Sequence, residues 1–264
     1  MDSKDTWAVG DLYEPYVGRW SRLVAKTFLD WLSVPDGKDW LDVGCGTGAL
    51  AATIVERCAP HTVQGIDASA GFVEYARARV ADPRASFRTG NAASLPLDPA
   101  SVDVAAAGLV LNFVPRASEA VAEMRRVTRP GGLVAAYVWD YAGKMELMRH
   151  FWDAAVTLDP AARELDEARR FPICSPEPLA GLFAGAGLAD LATQAIDVAT
   201  HFRNFDDYWT PFLGGQGPAP GYAMSLDEAR RSALRDRIHD TLPIAADGSI
   251  PLVARAWAVR GRVR

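Results

Sequence analysis

The chain has 264 residues, 49% hydrophobic, 9% aromatic and 23% charged, the composition of an ordinary globular protein, which excludes the disordered, collagen-like and disulfide-scaffold classes. With 28 Lys and Arg against 33 Asp and Glu the formal charge is −5; this gives no net attraction to nucleic-acid phosphates or an anionic membrane, and a small-molecule partner is expected. The three cysteines, Cys45, Cys58 and Cys174, are odd in number and lack paired metal-ligand spacing, so they read as reduced thiols of a cytoplasmic protein with no metal.

The N-terminus, Met1-Asp-Ser-Lys-Asp-Thr, has no apolar signal core. Apolar residues then recur at spacings of three and four from Leu12 through Tyr16, Trp20, Leu23, Val24 and Phe28 to Trp31, which predicts an amphipathic helical arm. Pro35-Asp-Gly-Lys breaks it. Trp40-Leu-Asp-Val reads as a short buried strand that runs into Gly44-Cys-Gly-Thr-Gly48, with a helix over about 49–57. The same grammar repeats: strand 62–66, helix 70–80 capped by Ser69, strand 85–88, strand 102–107, helix 118–127 and strand 133–139. The helix 118–127 is stopped by Arg129-Pro-Gly-Gly132. Strands alternating with helices indicate a parallel sheet covered on both faces. The longest apolar runs, around 104–110 and 133–139, fall short of the roughly 20 residues that span a bilayer.

After Tyr141 the rhythm changes. Residues 144–172 are helical in composition. Ser175-Pro-Glu-Pro opens a helix to Ala186, and 188–201 and 250–259 are strand-like. Between those two strands lies an aromatic-rich insertion, with the Pro/Gly-rich segment Pro211–Gly221, read as a lid with glycine hinges or a long ordered surface loop, then a capping box at Ser225-Leu-Asp-Glu228 and a basic helix. The expected organisation is an N-terminal arm, 1–38, and one domain, 39–264, carrying cap insertions at about 144–172 and 203–247.

A strand, a glycine turn and a helix N-terminus suit a ligand that approaches the backbone. The dinucleotide fingerprint G-x-G-x-x-G is not met, because the third glycine comes one residue early, at Gly48. Asp42, just before the turn, repels a pyrophosphate and attracts an ammonium group. Asp67 ends the second strand, where a carboxylate can accept both hydroxyls of a ribose. Asn91, after the third strand, can present its amide oxygen to an adenine amino group. With Arg129-Pro-Gly-Gly132 before the fifth strand, these features suit an adenosine bearing an amino-acid tail.

The motifs Leu41-Asp-Val-Gly-Cys-Gly-Thr-Gly48, Gly65-Ile-Asp-Ala-Ser69, Gly90-Asn-Ala92, Leu95-Pro-Leu97 and Val127-Thr-Arg-Pro-Gly-Gly132 fall in an order that resembles the class I S-adenosylmethionine-dependent methyltransferases, especially the type 11 group. The likeness covers about 39–140 and is specific in combination. It implies an α/β, Rossmann-like, seven-stranded sheet, mostly parallel with an antiparallel last strand and helices on both faces, plus a mainly helical cap. It also implies S-adenosylmethionine as cofactor, with Asp42, Gly44 and Gly46 along its methionine part, Asp67 at the ribose, Asn91 and Ala92 at the adenine, and Leu109 beside it; Cys45, read as filling space in the turn, and Ala68 are further candidate contacts. Asn91 departs from the Asp often found in the family, yet it keeps an acceptor oxygen.

Methyl transfer is an in-line displacement that needs alignment and exclusion of water, with a base where the acceptor must lose a proton. His150 is the preferred base, with Tyr141, Asp140, His201 and His239 as other candidates; His61 is expected to be structural. Asn112, past the fourth strand, can orient the acceptor or cap a turn. Tyr13, Tyr16, Arg19 and Trp20 form an arm that can fold over the cofactor, Tyr16 and Trp20 being the candidate contacts, or simply pack as a helix. Trp139, Tyr141, Phe151, Trp152, Tyr208 and Trp209 can line an acceptor pocket, half of them expected to be plain core. The reading is a methyltransferase for a small, apolar or aromatic metabolite, as a monomer or homodimer. The competing readings are a non-catalytic cofactor-binding module and a nicotinamide dehydrogenase.

Overall fold

A computed structural model describes residues 18–214 and 217–264; Tyr13 and Tyr16 lie outside the described residues. The elements in chain order are α1 (Arg19–Leu32), β1 (Asp39–Val43), α2 (Ala49–Arg57), β2 (Thr62–Asp67), α3 (Ala70–Arg79), β3 (Ala85–Thr89), β4 (Val102–Gly108), α4 (Ala117–Val127) and β5 (Thr128–Trp139). They continue with α5 (Glu146–Leu158), α6 (Glu167–Arg170), α7 (Pro176–Gly185), β6 (Ala189–Phe202), α8 (Phe205–Trp209), α9 (Pro218–Ser225), α10 (Glu228–Thr241) and β7 (Ile250–Arg262). The seven strands form one sheet in the order β3-β2-β1-β4-β5-β7-β6.

Strands β3, β2, β1, β4 and β5 are parallel, with Asp42 opposite Gly65 and Ala106 and with Asp67 opposite Thr89. Their right-handed crossovers put α2 and α3 on one face and α4 on the other. Chain order reverses between β1 and β4, so the crevice for a ligand opens at the carboxyl ends of those two strands. β7 is antiparallel to β5: Gly131 N–H donates to Val263 O at 2.8 Å and Val263 N–H to Gly132 O at 3.0 Å. The core strands are near-continuous apolar runs because both faces are covered; Val102, Val104, Ala105, Ala106 and Ala107 are buried, as is 133–139 of β5.

By internal packing the chain forms two compact units, one of residues 21–138, 173–196 and 256–264, the other of the described residues up to 20 with 139–172 and 197–255. The first, the sheet unit, holds the glycine turn. The core of the second is aromatic: Phe151 stacks on Phe212 at 4.6 Å, meets Trp152 edge-on at 5.2 Å, and Tyr208 joins Phe212 to Phe202.

Three expectations are corrected. Arg129-Pro-Gly-Gly132 follows α4, which ends at Val127 as expected, but it does not belong with the ligand features: it opens β5 at the amino ends of the strands, as an irregularity in which Val102 pairs with Thr128 and Val104 with Leu133. There Arg129 donates to Asp39 at 3.1 Å and to the Ser101 carbonyl at 2.8 Å, and lies 3.0 Å from Asp103. The helix N-cap in the second unit is Asp227, which accepts from Arg230 N–H at 2.8 Å, whereas the Ser225 hydroxyl donates to Tyr222 O. The segment 211–221 is not an irregular lid or loop in its described parts: 210–214 is a 3-10 turn and 218–225 is α9, with Phe212, Ala219 and Tyr222 buried.

Arg129→Ala leaves Asp39 and Asp103 facing each other without their shared cation. Denaturant unfolding is expected to show a loss of about 1 kcal/mol that shrinks in high salt, partly restored by Arg129→Lys.

Candidate functional site

The site begins with a backbone problem. β1 must turn into α2 within a few residues, and the turn does so with Gly44, Gly46 and Gly48 at φ of +69°, +50° and +82°, a region that other residues enter only with strain. A Cβ on Gly44 would also lie 2.4 Å from Val110. Gly44 and Cys45 donate their N–H groups to Ile66 O at 2.7 and 3.1 Å, tying the turn to β2. No side chain caps α2 at Gly48.

Two carboxylates organise this cradle. Asp67 Oδ2 accepts from Gly46 N–H at 2.9 Å and Oδ1 from Ser69 N–H at 2.8 Å, so one side chain joins the loops that follow β1 and β2. Each oxygen keeps lone-pair capacity for a further donor, such as a ribose hydroxyl. Asp42 is 1% exposed and accepts from Ala51 N–H at 3.0 Å. Burial, with the charge of Asp67 adding to it, pushes the Asp42 pKa up to about 7, and burial raises Asp67 as well. The folded chain therefore holds a proton on Asp42 that the unfolded chain releases near pH ~3.9, so ionising it costs stability as pH rises toward about 7. A cationic group on the ligand reverses that cost. Cys45 is buried and its thiol pKa is pushed up by burial beside both acids, so it fills space and offers no thiolate.

After β3, Asn91 makes its own turn: its side-chain oxygen accepts from Ala93 N–H at 2.9 Å and its carbonyl from Ser94 N–H at 3.0 Å. Asn91 is exposed and Ala92 half-buried. The segment beyond is held by two residues of α4 that the sequence reading passed over. Glu123 accepts from Leu95 N–H at 2.8 Å, and Arg126 donates to the carbonyls of Leu95 and Leu97 at 3.0 and 2.9 Å. The signal was present as an i,i+3 acid–base pair, bonded at 2.6 Å, on the helix that follows Leu95-Pro-Leu97.

At the end of β4, Leu109 adopts φ +58° and donates to Tyr137 O at 2.8 Å. A non-glycine residue in that region is a strained feature of the sort that gathers at ligand sites. The kink sets Val110 against Gly44 and leads into the 3-10 turn Leu111–Phe113. Asn112 in that turn is half-buried, and its Nδ2 is buried with no acceptor. A buried amide donor without a partner calls for one from outside the chain. The glycine turn, a carboxylate with spare acceptor capacity and an orphan donor thus fit an adenosine with an amino-acid tail and an acceptor beside it.

The sheet unit brings together Asp42, Gly44, Cys45, Gly46, Asp67, Ala68, Asn91, Ala92, Leu109 and Asn112; Trp20, Tyr141 and His150 belong to the other unit. There His150 is half-buried on α5, and burial lowers its pKa against the opposing pull of Glu146 and Asp153. Tyr141 is buried with its ring 6.0 Å from Phe171. The Asp140 carboxylate is spent on its own turn, accepting from Gly143 and Lys144 N–H at 3.0 and 3.1 Å. His201 and His239 are exposed. His61 is exposed at the amino end of β2, bonded to Asp39 at 2.7 Å. All six aromatics expected to divide between pocket and core are buried. Among the described residues, no group of three metal-ligating side chains is arranged to hold an ion, and no helix is long and apolar enough to cross a membrane.

Residues 41–136 match the family described as methyltransferase domain. A probable S-adenosylmethionine-dependent methyltransferase of Mycolicibacterium smegmatis is 35% identical over 159 residues, covering 59% of each chain. The demethylmenaquinone methyltransferase of Halalkalibacterium halodurans is 35% identical over 113 residues, 41% of this chain and 46% of that one. The chain thus spans under two thirds of these relatives. Among solved structures, the phosphoethanolamine N-methyltransferase 2 of Haemonchus contortus, in complex with phosphomonomethylethanolamine and S-adenosylhomocysteine, shares the fold: TM-score 0.57 at 15% identity, over 93% of this chain and 53% of that one.

Gly46→Ala meets open space and is expected to cost about 1 kcal/mol of backbone strain, whereas Gly44→Ala must also displace Val110 and is expected to cost about 2–4 kcal/mol. Denaturant unfolding checks both; adding Val110→Ala should restore part of the Gly44→Ala loss and none of the Gly46→Ala loss.

Proposed function

We propose that the chain, whose residues 41–136 match a methyltransferase domain, is a class I S-adenosylmethionine-dependent methyltransferase that transfers a methyl group to a small, apolar or aromatic metabolite by in-line displacement. The observation that carries the reading is the bridge by Asp67 between the glycine turn and the loop after β2, which sets a carboxylate where a ribose is to be held. In this reading Asp42, Gly44, Cys45 and Gly46 hold the amino-acid tail, with the buried acidic pair drawing its ammonium group. Asp67 and Ala68 hold the ribose, Asn91 and Ala92 the adenine, and Leu109 closes one side. Tyr16 and Trp20 are proposed as arm contacts.

S-adenosylmethionine, when bound, supplies a methyl group on a positively charged sulfur that leaves as a neutral thioether. The rest falls to the chain's own residues. Asn112 directs its unpaired N–H to an oxygen of the acceptor and so fixes its approach, which converts an encounter into a positioned reaction. His150, whose pKa burial holds below the usual imidazole value, is neutral at pH 7 and takes the acceptor's proton on a ring nitrogen. Tyr141 assists as a hydroxyl beside the acceptor. The segments 144–172 and 203–247, with the arm 1–38, supply acceptor recognition to a cofactor-binding domain spanning 39–264. A net charge of −5 supports a small-molecule acceptor over nucleic acid, and we place the protein in the cytoplasm as a monomer or homodimer.

Calorimetric titration tests the reading. S-adenosylmethionine and S-adenosylhomocysteine are expected to bind and NAD is not; binding of NAD alone would overturn it. Asp67→Ala should weaken S-adenosylhomocysteine about 10- to 100-fold, the loss of hydrogen bonds to a charged acceptor, with unchanged affinity contradicting the ribose assignment. For the base, an NMR titration of His150 is expected to give a midpoint below ~6.5. Then kcat/KM falls as pH drops through that midpoint and is flat above it, and His150→Asn removes the acid limb. A midpoint above the ordinary value would rule out the assigned protonation state.

A further inference from the structure

The second unit holds a guanidinium that is placed but only half used. Arg19, at the start of α1, lies 4.5 Å from the Trp20 ring centre and 4.6 Å from that of Phe202, so two aromatic rings hold its guanidinium by cation–π attraction. One nitrogen, Nη1, donates to Asp207 at 3.1 Å. The other two, Nε and Nη2, are buried and have no acceptor. Their edge offers two parallel N–H groups, the geometry that matches the two oxygens of a carboxylate.

The neighbours lack acceptors in the same way. Trp20 is 8% exposed and its Nε1 is unpaired; Thr200 is 1% exposed and its Oγ1 is unpaired. Thr200 stands two positions before Phe202 on the buried face of β6, so it shares a side of the strand with the ring that supports Arg19. Trp20 meets Phe202 edge-on at 5.6 Å. Four buried polar atoms on these three residues, all without a partner, make an expensive arrangement unless an acceptor-rich group joins them. Asp207 is shared between Arg19 and Arg203, which lies 3.7 Å away, so the one acceptor of the Arg19 guanidinium is itself divided between two cations, and Asp206 lines the same cavity. A cavity of about 450 Å³ opens beside Arg19, with Asn204, Thr210 and Pro211 in its wall.

We propose that Arg19, with Thr200 and Trp20, forms a receptor for a carboxylate carried by the methyl acceptor, which makes the substrate class a small carboxylic acid. The assignment of the ligand as acceptor rests on the methyl-transfer reading; the receptor itself does not. Trp20 adds its unpaired indole N–H to this receptor beside its proposed contact with the cofactor.

The test is calorimetric titration of the full chain with benzoate, with its neutral analogue benzamide and, separately, with S-adenosylhomocysteine. Benzoate is expected to bind the parent protein and to bind Arg19→Gln about tenfold more weakly, while benzamide distinguishes the two proteins little. Arg19→Lys, which keeps the charge and loses the paired edge, should fall between them. Thr200→Val, close in shape, should weaken benzoate several-fold, and it keeps the test open if Arg19→Gln does not fold. Affinity for S-adenosylhomocysteine should not change. The proposal is overturned if benzoate fails to bind the parent protein, or binds the Arg19 and Thr200 variants equally well. It is also overturned if Arg19→Gln weakens S-adenosylhomocysteine and not benzoate, which would give the edge to the cofactor tail. Absence of S-adenosylhomocysteine binding from every protein would sink the methyltransferase reading and leave the benzoate comparison standing.

Discussion

The candidate site depends on one carboxylate. Asp67 ends β2 and accepts backbone N–H groups from Gly46 and Ser69, and through those two bonds it fixes the loops that follow neighbouring strands. A glycine turn with three residues in the left-handed region has little of its own to hold it, because glycine loses the most conformational freedom on ordering. Hydrogen bonds to a charged acceptor are about twice as strong as neutral ones, so Asp67 restrains the turn while keeping oxygen lone pairs for a ligand. The expense is electrostatic. Asp67 is half-buried, which raises its own pKa, and its charge adds to burial in raising that of Asp42. In the proposed reading this cradle takes ligand hydroxyls at Asp67 and a positive charge at Asp42.

Shape constraints complete what charge begins. Gly44 has no side chain because Val110 occupies that space, and Val110 is there because Leu109 turns the chain through a left-handed residue. The end of β4 and the end of β1 are therefore fitted to each other, and this is the point where strand order reverses. The same kink produces Asn112 with its unpaired donor. In the second unit Arg19, Trp20 and Thr200 carry buried polar atoms without partners, as do Trp139 and Arg149.

Much of the sheet was legible because period and punctuation agree. Trp40-Leu-Asp-Val before a glycine run, and the alternation of apolar strands with capped helices as far as Trp139, can be read only as parallel α/β. The motif at 129–132 misled, since adjacency to the fifth strand says nothing about which end of the sheet it occupies; Arg129 works at the amino end, with Asp39 and Asp103. Ser225 lost the N-cap to Asp227 because a hydroxyl two residues too early turns back to Tyr222 O. The Pro/Gly-rich stretch around 211–221 reads as a loop by composition, yet Phe212 and Tyr222 are drawn into an aromatic core and tertiary packing overrides local preference. The Glu123 and Arg126 pair shows in the sequence as an i,i+3 acid–base spacing, but its backbone partners at Leu95 and Leu97, like the ring of Phe202 beside Arg19, lie many residues away, and local spacing does not announce them.

The central claim is that Asp67 serves the turn and the ligand together. A crystal structure with S-adenosylhomocysteine bound tests it directly. The account predicts both ribose hydroxyls within hydrogen-bonding distance of the Asp67 carboxylate, with its bonds to Gly46 and Ser69 retained. A ribose held elsewhere, or an Asp67 that must abandon Gly46 to reach it, would contradict the account.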